Sequence, residues 1–266
     1  MAVRIQSRMR TVLALLFFLL ATAGAAAQQG PAPPGPLQEQ HTEPRREAAP
    51  ADPAQSVVLI FNHGTYRPQR RHQCNEEKDV PAVVRELAGA HGWTVHYLCS
   101  IATDDGEAGS YTYKRADEIL AAVAAHRARG VPAQRIFLLG HSAGGWSSLM
   151  AARKDHSNFN AVIAFAPAFA GPRYEEAQYP KWRRELAPAQ TAYLREAKRI
   201  EALIFAYSDD DFDRPSELEP LQSIPGLRVL AFDACQRGHG TTYSECFREG
   251  AKVEIEDYIK SRLKAH

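Results

Sequence analysis

Residues 135–145 read Arg-Ile-Phe-Leu-Leu-Gly-His-Ser-Ala-Gly-Gly, and this stretch decides the fold. Its apolar part predicts a buried strand, and the residues from Ala143 to Lys154 predict a helix. Between them, residues 140–144 fit the pattern G-x-S-x-G, which places a serine on a tight turn from strand to helix. Glycines two residues before and two after Ser142 let the backbone approach closely. Ser142 is therefore predicted to project from the top of a sheet as a nucleophile.

Apolar runs typical of buried strands alternate with helical periodicity along the rest of the chain. Because the strands are unbroken apolar runs, the pattern predicts an α/β fold with a doubly wound, mostly parallel sheet flanked by helices. The insertion at 167–199 leaves room for little or no cap. The predicted strands are 56–61, 94–99, 135–139, 161–166, 202–207 and 228–232, and the predicted helices are 79–91, 113–129, 143–154, 180–198 and 252–263.

A serine nucleophile needs a base, and the base needs an orienting carboxylate. In this architecture they follow the serine in the order acid and then histidine, each on a loop after a later strand. His239, flanked by glycines after the sixth predicted strand, is the predicted base. The loop after the fifth strand carries four aspartates, among which we favour Asp210 and keep Asp211 as the alternative.

Two backbone N–H groups are needed to stabilise the negative charge that develops on the substrate oxygen. One is predicted to be that of Ala143, the residue after the nucleophile. The other is expected from the loop after the first strand, where Gly64 permits a tight turn; we assign Thr65, with Tyr66 as the alternative. His63 in this loop is expected to support the loop rather than to act as a second base.

Three aromatic residues are candidates for the substrate pocket, namely Tyr66, Trp146 and Tyr174. Trp146 lies on the helix after the nucleophile, where an aromatic residue is more often part of the core. With little cap, the site is expected to be open. An open site favours short acyl esters or an accessible polymer, so activity should fall beyond medium chain lengths.

These motifs together resemble those of the α/β-hydrolase superfamily, most closely the small, nearly capless group of dienelactone hydrolases and bacterial carboxylesterases. The residues that carry the resemblance are Asn62-His63-Gly64, the run 140–145, Asp210 and Gly238-His239-Gly240. The resemblance extends from about Val57 to the C-terminus. Dienelactone-type enzymes use a cysteine nucleophile, so Ser142 does not imply their substrate. Tyr207 stands where a glycine often follows the acid strand.

The expected function is that of a serine hydrolase that cleaves carboxylic esters through an acyl-enzyme, without a metal or an organic cofactor. The expected partner is a small-molecule or polymeric ester. A peptidase or amidase would use the same triad and is the first alternative. A non-catalytic binding protein that kept the fold is the second, and reaction with a fluorophosphonate probe would distinguish it.

The N-terminal residues have the composition of an export signal. A basic start with three arginines precedes an apolar run at 11–20 and small residues at 25–27, which predicts a secretory signal peptide over 1–27. The apolar run is short for a membrane anchor, which needs about 20 residues. Residues 28–55 predict a flexible Pro-rich leader and 56–266 the catalytic domain. The protein is therefore expected in the periplasm or outside the cell.

Four cysteines in an exported chain predict two disulfides. Of the three possible arrangements we favour Cys74–Cys99 and Cys235–Cys246, which pair neighbours in sequence; the second would enclose His239. Free buried thiols, or a zinc site with His72 and Cys74, are the alternatives, although no paired C-x-x-C spacing is present.

The charge of the chain gives no support for a nucleic acid or an anionic membrane as a partner. The formal net charge of +1 includes the three arginines of the predicted signal, so the mature chain is slightly acidic. No run of lysine and arginine with interleaved aromatics is present, so nothing in the sequence supports nucleic-acid or anionic-membrane binding.

Overall fold

The computed structural model describes residues 52–65, 74–100, 102, 109–178 and 180–265. The predicted signal peptide, most of the predicted leader, Tyr66 and His72 lie outside the described residues. In the part of the chain that is described, no helix combines the length and the apolar character that a membrane span requires.

Six parallel strands in the order β2-β1-β3-β4-β5-β6 form the sheet in the described ranges. The four central strands are buried along their whole length, which explains why they are continuous apolar runs. The two edge strands are partly exposed. The bounds are β1 Val58–Asn62, β2 Thr94–Leu98, β3 Ile136–His141, β4 Ala161–Phe165, β5 Ala202–Ala206 and β6 Leu227–Ala231.

Helices cover both faces of the sheet, which confirms the predicted doubly wound α/β fold. One apolar core lies under α3 and α4, and a second lies under α2 and α7. The bounds are α1 Glu76–Asp79, α2 Ala82–His91, α3 Ser110–Ala128, α4 Ala143–Lys154, α5 Ala187–Arg195, α6 Pro215–Leu218 and α7 Glu245–Lys264; a π-helical turn at Trp182–Leu186 precedes α5.

The last helix begins seven residues before the position that its sequence periodicity predicts. Ser244 caps it, because its side chain accepts a hydrogen bond from the Phe247 N–H at 3.1 Å. Gly250, in the second turn of the helix, interrupts the helical pattern in the sequence, since glycine is a poor helix former. The structure gives the reason for it: a Cβ on Gly250 would lie 2.9 Å from the ring of Phe232.

The connection between β4 and β5 forms the small insertion that the sequence predicts. It consists of a 3-10 turn at Arg173–Glu175, the π-helical turn and α5. Pro188 in α5 has no N–H to donate, which accounts for the widened turn before it. We call residues 167–199 the insertion. It lies at the carboxyl ends of the strands, where parallel α/β sheets bind their ligands.

Candidate active site

Ser142 lies on the turn between β3 and α4 with a backbone conformation that serine rarely adopts. Its φ is 54° and its ψ is −124°. The turn is fixed on both sides, because the Ser142 N–H donates to Phe165 O at 3.0 Å and its carbonyl accepts from Ala168 N at 3.2 Å. Such strain persists only where the surrounding structure enforces it, and it is typical of functional sites.

The glycines around Ser142 are required by close backbone contacts. A Cβ on Gly144 would lie 2.1 Å from the carbonyl oxygen of Asn62, at the end of β1. A Cβ on Gly140 would lie 2.4 Å from the carbonyl carbon of Gly144. The G-x-S-x-G pattern therefore exists here because α4 begins in direct contact with the neighbouring strands.

His239 and Asp210 are joined by hydrogen bonds. His239 Nδ1 lies 2.9 Å and 3.1 Å from the two carboxylate oxygens of Asp210. Asp210 is completely buried, and it also accepts a hydrogen bond from the Phe212 N–H at 2.7 Å. Asp211, the alternative acid, is exposed. The geometry brings Asp210, and not Asp211, to the predicted base.

The other ring nitrogen of His239, Nε2, is not bound to Asp210. Nε2 is buried and has no hydrogen-bond partner among the described residues, and His239 and Ser142 line the same cavity. Hydrogen bonds of a catalytic base are often long before substrate binds and tighten in the complex. Nε2 is thus the ring nitrogen that remains available as an acceptor.

Two residues that the sequence analysis missed hold the His239 ring. Phe212 stacks on it with centroids 4.0 Å apart, and His141 lies beside it at 4.8 Å. His141 Nε2 donates to the His239 carbonyl at 2.9 Å. Burial, together with nearby His239, lowers the pKa of His141 to about 3, so His141 is neutral and serves as a donor.

Tyr207, which stands in the place of the expected glycine, is also buried. Its hydroxyl lies 2.7 Å from Thr242 Oγ1, three residues after His239. The hydrogen bond ties the end of β5 to the loop that carries the base. This departure from the family pattern therefore connects the acid and base loops.

The loop after β1 is supported by buried polar groups. His63 is buried, and its Nδ1–H donates to the Gly64 carbonyl. Its Nε2 accepts from the Ser100 N–H at 3.1 Å, and Nη2 of Arg115 from α3 also lies 3.1 Å away. His63 is thus used in holding the loop. The loop places Thr65 in the cavities that Ser142 lines, and Ala143 lines one of them.

Two cavities meet at Ser142. The first, which we call the aromatic cavity, has a volume of about 210 Å³ and includes Ala143 but not His239. Its walls carry the rings of Tyr111, Phe169, Tyr174, Trp182 and Phe212, with one carboxylate from Glu175. The second, the polar cavity, has a volume of about 410 Å³ and is lined by Gly64, Thr65, Lys78, Asp79, His141, Ser142, Phe212, His239 and Tyr243.

The structure places the three predicted pocket residues differently. Tyr174 lines the aromatic cavity, and Tyr66 lies outside the described residues. Trp146 lines neither cavity, so its prediction as a substrate-pocket residue was wrong. Its side chain is buried, its ring packs on that of Phe169 with centroids 5.1 Å apart, and its indole N–H donates to Gln190 Oε1 at 2.7 Å. Its position on the core side of α4 explains this role.

Comparison with known proteins agrees with this geometry. A family model described as serine aminopeptidase, S33, matches residues 107–214, which contain Ser142 and Asp210. Est1E from Butyrivibrio proteoclasticus superposes with a TM-score of 0.58 at 14% identity, over 81% of this chain and 91% of that chain. These matches show the α/β-hydrolase fold and support a place in the α/β-hydrolase superfamily. A search of curated protein sequences gave no match.

Further solved structures with this fold are named for different activities. A soluble variant of monoglyceride lipase from Saccharomyces cerevisiae gives a TM-score of 0.56 at 11% identity, over 78% of this chain and 88% of that chain. Dipeptidyl peptidase 4 from Porphyromonas gingivalis gives 0.54 at 20% identity, over 79% of this chain but only 32% of that chain. At these identities the likeness shows the fold; with the family model it supports a serine hydrolase.

Both predicted cysteine pairs form disulfides. Cys74 is bonded to Cys99 and Cys235 to Cys246, with Cα atoms 5.7 and 5.9 Å apart. The second joins the loop after β6 to α7 and encloses His239. In the described ranges, His63 with Cys74 and Cys99 is a cluster with metal-ligand spacing, but both of its sulfurs are in a disulfide.

Proposed function

We propose that this protein hydrolyses carboxylic esters, with Ser142 as the nucleophile, His239 as the base and Asp210 as the orienting acid. The observation that carries the proposal is the hydrogen bond between buried Asp210 and His239, because His239 keeps Nε2 without a partner among the described residues and lines the same cavity as Ser142. A carboxylate on Nδ1 keeps that nitrogen protonated, so Nε2 is the nitrogen that accepts a proton.

In the proposed reaction, Nε2 of His239 removes the proton from Ser142 as its Oγ attacks the substrate carbonyl. The N–H groups of Thr65 and Ala143 stabilise the oxyanion, and one such donor contributes about 10²–10³ in kcat. The protonated His239 then donates its proton to the departing alcohol, leaving an acyl-enzyme. Water, deprotonated by His239, releases the acid and restores Ser142.

The position of His239 supports an assignment of the two cavities to the two parts of the ester. The leaving oxygen must lie within hydrogen-bond reach of Nε2, so the alcohol occupies the polar cavity, which His239 lines. The acyl group then occupies the aromatic cavity. At about 210 Å³ it is small for a ligand site, since such sites are usually about 300–1,000 Å³. An apolar cavity of about 150 Å³ holds benzene, so a short or a single-ring acyl group fits.

A peptidase that removes an N-terminal residue is the second candidate. The family model that matches is described as a serine aminopeptidase, and Glu175 places a carboxylate in the aromatic cavity, where it could bind an α-amino group. The same triad would cleave an amide. The mostly aromatic walls favour the ester, because a charged amino group would lose hydration there.

Hydrolysis of p-nitrophenyl esters from acetate to palmitate, with the benzoate added, tests the proposal against Ser142→Ala. We expect activity on short chains and benzoate, a decline beyond medium chains, and none in the variant. Equal turnover of palmitate would contradict the assignment of the aromatic cavity to the acyl group. Cleavage of aminoacyl p-nitroanilides alone would establish the peptidase, and failure of Ser142 to react with a fluorophosphonate would refute both enzymes.

We propose further that the protein is exported and that its signal is removed after Ala27. Two disulfides support this, because such bonds persist in oxidising compartments. Protein recovered from the periplasm or the medium should begin at Gln28. Recovery of a chain that still begins at residue 1 would contradict cleavage.

A further inference from the structure

The loop that carries the acid is held by its backbone carbonyls. We call residues 208–213 the acid loop. Arg173 in the insertion donates from Nη1 to Phe212 O at 3.0 Å and from Nη2 to Asp210 O, and its own N–H donates to Asp211 O at 2.8 Å. Arg183 donates from Nη2 to Phe212 O at 2.8 Å. Three consecutive carbonyls of the acid loop are therefore bound by the insertion.

Phe212 connects these arginines to the reacting groups. Its carbonyl accepts from both guanidinium groups, and its N–H donates to Asp210 Oδ1 at 2.7 Å. Its ring stacks on His239 with an interplanar angle of 29°. A shift of the Phe212 backbone would therefore change one hydrogen bond to the acid and one ring contact to the base at once.

We propose that Arg173 and Arg183 form an arginine clamp that positions Asp210 and His239 for proton transfer. The proposal rests on the proposed function, because it assigns the clamp to the triad of that reaction. Neither arginine lines the cavities at Ser142; both act through the Phe212 carbonyl, and Arg173 acts also through the Asp210 carbonyl. The clamp makes the insertion a part of the catalytic machinery as well as a wall of the aromatic cavity.

The surroundings of the clamp restrict the guanidinium groups to one arrangement. The Arg183 side chain is 10% exposed and pairs with Asp213 at 2.9 Å, and its Nη1 donates to Gly171 O at 2.6 Å. Glu217 bridges the two arginines, at 2.9 Å from Arg173 and 3.1 Å from Arg183. Two cations thus face two carboxylates, so the cluster is balanced in charge.

Lysine could not replace arginine in this cluster. A guanidinium group is a planar fork with five donors, and Arg183 uses it to bind two carbonyls and two carboxylates together. An ammonium group is a single point of charge and cannot reach partners in these directions. An Arg→Lys change therefore keeps the charge but loses the geometry, which separates the two contributions.

The same contacts could serve only to hold the insertion on the domain, and kinetics distinguish the two roles. The insertion forms part of the wall of the aromatic cavity. If the variants only loosened the attachment of the insertion to the domain, KM would rise and the thermal midpoint of unfolding would fall. Loss of triad geometry would instead lower kcat in enzyme that is still folded, since displacement of catalytic groups by about 1 Å costs about 10²-fold.

The experiment compares Arg183→Met and Arg183→Lys with Arg184→Met. Arg184 is the matched control, because it adjoins Arg183 but is 67% exposed and pairs only with Glu176 among the described residues. Measured on p-nitrophenyl acetate well below each thermal midpoint, both Arg183 variants should lose about 10- to 100-fold in kcat with KM within two-fold. Arg184→Met should match the wild type. A kcat within two-fold of wild type in Arg183→Met, or a change in KM alone, would overturn the clamp.

A readout without substrate separates failure of the clamp from failure of the proposed function. The Nδ1 proton of His239 should give a downfield proton NMR signal, because it is held by a buried carboxylate. Arg183→Met should shift or broaden this signal, and Arg184→Met should not. An unchanged signal refutes the clamp even if wild type cleaves no ester. Arg173→Lys, which keeps the backbone bond to Asp211, gives the same test if Arg183→Met does not fold.

Discussion

Replacement of Gly144 by alanine should disable the site through the neighbouring strand. The new Cβ would lie 2.1 Å from Asn62 O and 2.6 Å from His63 O. Ordinary contact between such atoms begins at about 3.4 Å, so α4 and the end of β1 must separate by about 1.3 Å. Both atoms are backbone, so a side-chain rotation cannot relieve the overlap.

The displaced atoms lead directly into the proposed oxyanion loop. Asn62 and His63 precede Thr65, whose N–H must point at the developing charge with a tolerance of about 0.5 Å. A shift of more than 1 Å should lower kcat/KM by about 10²-fold or more. Overpacking should also lower the free energy of unfolding by about 1–3 kcal/mol.

Urea unfolding and ester hydrolysis, both at 15 °C, measure the two effects separately. Gly240→Ala is the control, because it adjoins His239 but its Cβ would meet nothing within 4 Å. It should keep kcat/KM within two-fold and nearly all of its stability. If Gly144→Ala retained more than a third of wild-type kcat/KM with unchanged stability, the close approach of α4 to β1 would be wrong, and with it this account of the glycine.

Three further predictions concern the acid, a helix and a buried histidine. Asp210→Asn should lower kcat on p-nitrophenyl acetate by about 10⁴-fold, because the wrong imidazole nitrogen would be protonated, while exposed Asp211→Asn should remain within two-fold; equal losses would refute the assignment. Gly89→Ala in α2, where a Cβ would meet nothing within 4 Å, should raise the free energy of unfolding in urea by about 0.5–1 kcal/mol, and no gain would contradict it. His141 has a pKa of about 3 when folded and about 6.5 when unfolded, so the unfolded chain takes up a proton first and stability is lost as pH falls below 6.5. At pH 5 the free energy of unfolding is lowered by about 2 kcal/mol through this histidine. The difference in free energy of unfolding between wild type and His141→Gln should therefore change by about 2 kcal/mol between pH 7.5 and 5. A difference that does not depend on pH would contradict this prediction.

The fold was predictable because burial leaves a local pattern. Strands covered on both faces must be apolar at every position, and that is how β1, β3, β4 and β5 read in the sequence. The start of α7 was not predictable in the same way. Gly250 weakens the helical pattern, and the need for it comes from the ring of Phe232, which is eighteen residues away in sequence.

The site was predictable only as far as its geometry is encoded locally. Ser142 has a motif because the residue types that its turn requires fall within five consecutive positions, and His239 stands out between two glycines. The choice between Asp210 and Asp211 depends on which carboxylate is buried against His239. Two adjacent residues of the same type carry no sequence signal for that difference, so the choice needed the tertiary structure.

The contacts of Arg173 and Arg183 leave even less trace in the sequence. Both arginines bind backbone carbonyls, and a carbonyl is present whatever residue carries it. Among the described residues, their side-chain partners are the carboxylates of Asp213 and Glu217, and the sequence does not distinguish this pairing from an ordinary surface ion pair. The consequence is that an insertion of the same length and charge, taken from a relative, would not restore the clamp unless it brought two guanidinium groups to the Phe212 carbonyl. With the clamp as proposed, activity of this protein depends on the insertion as well as on the loops that carry the triad.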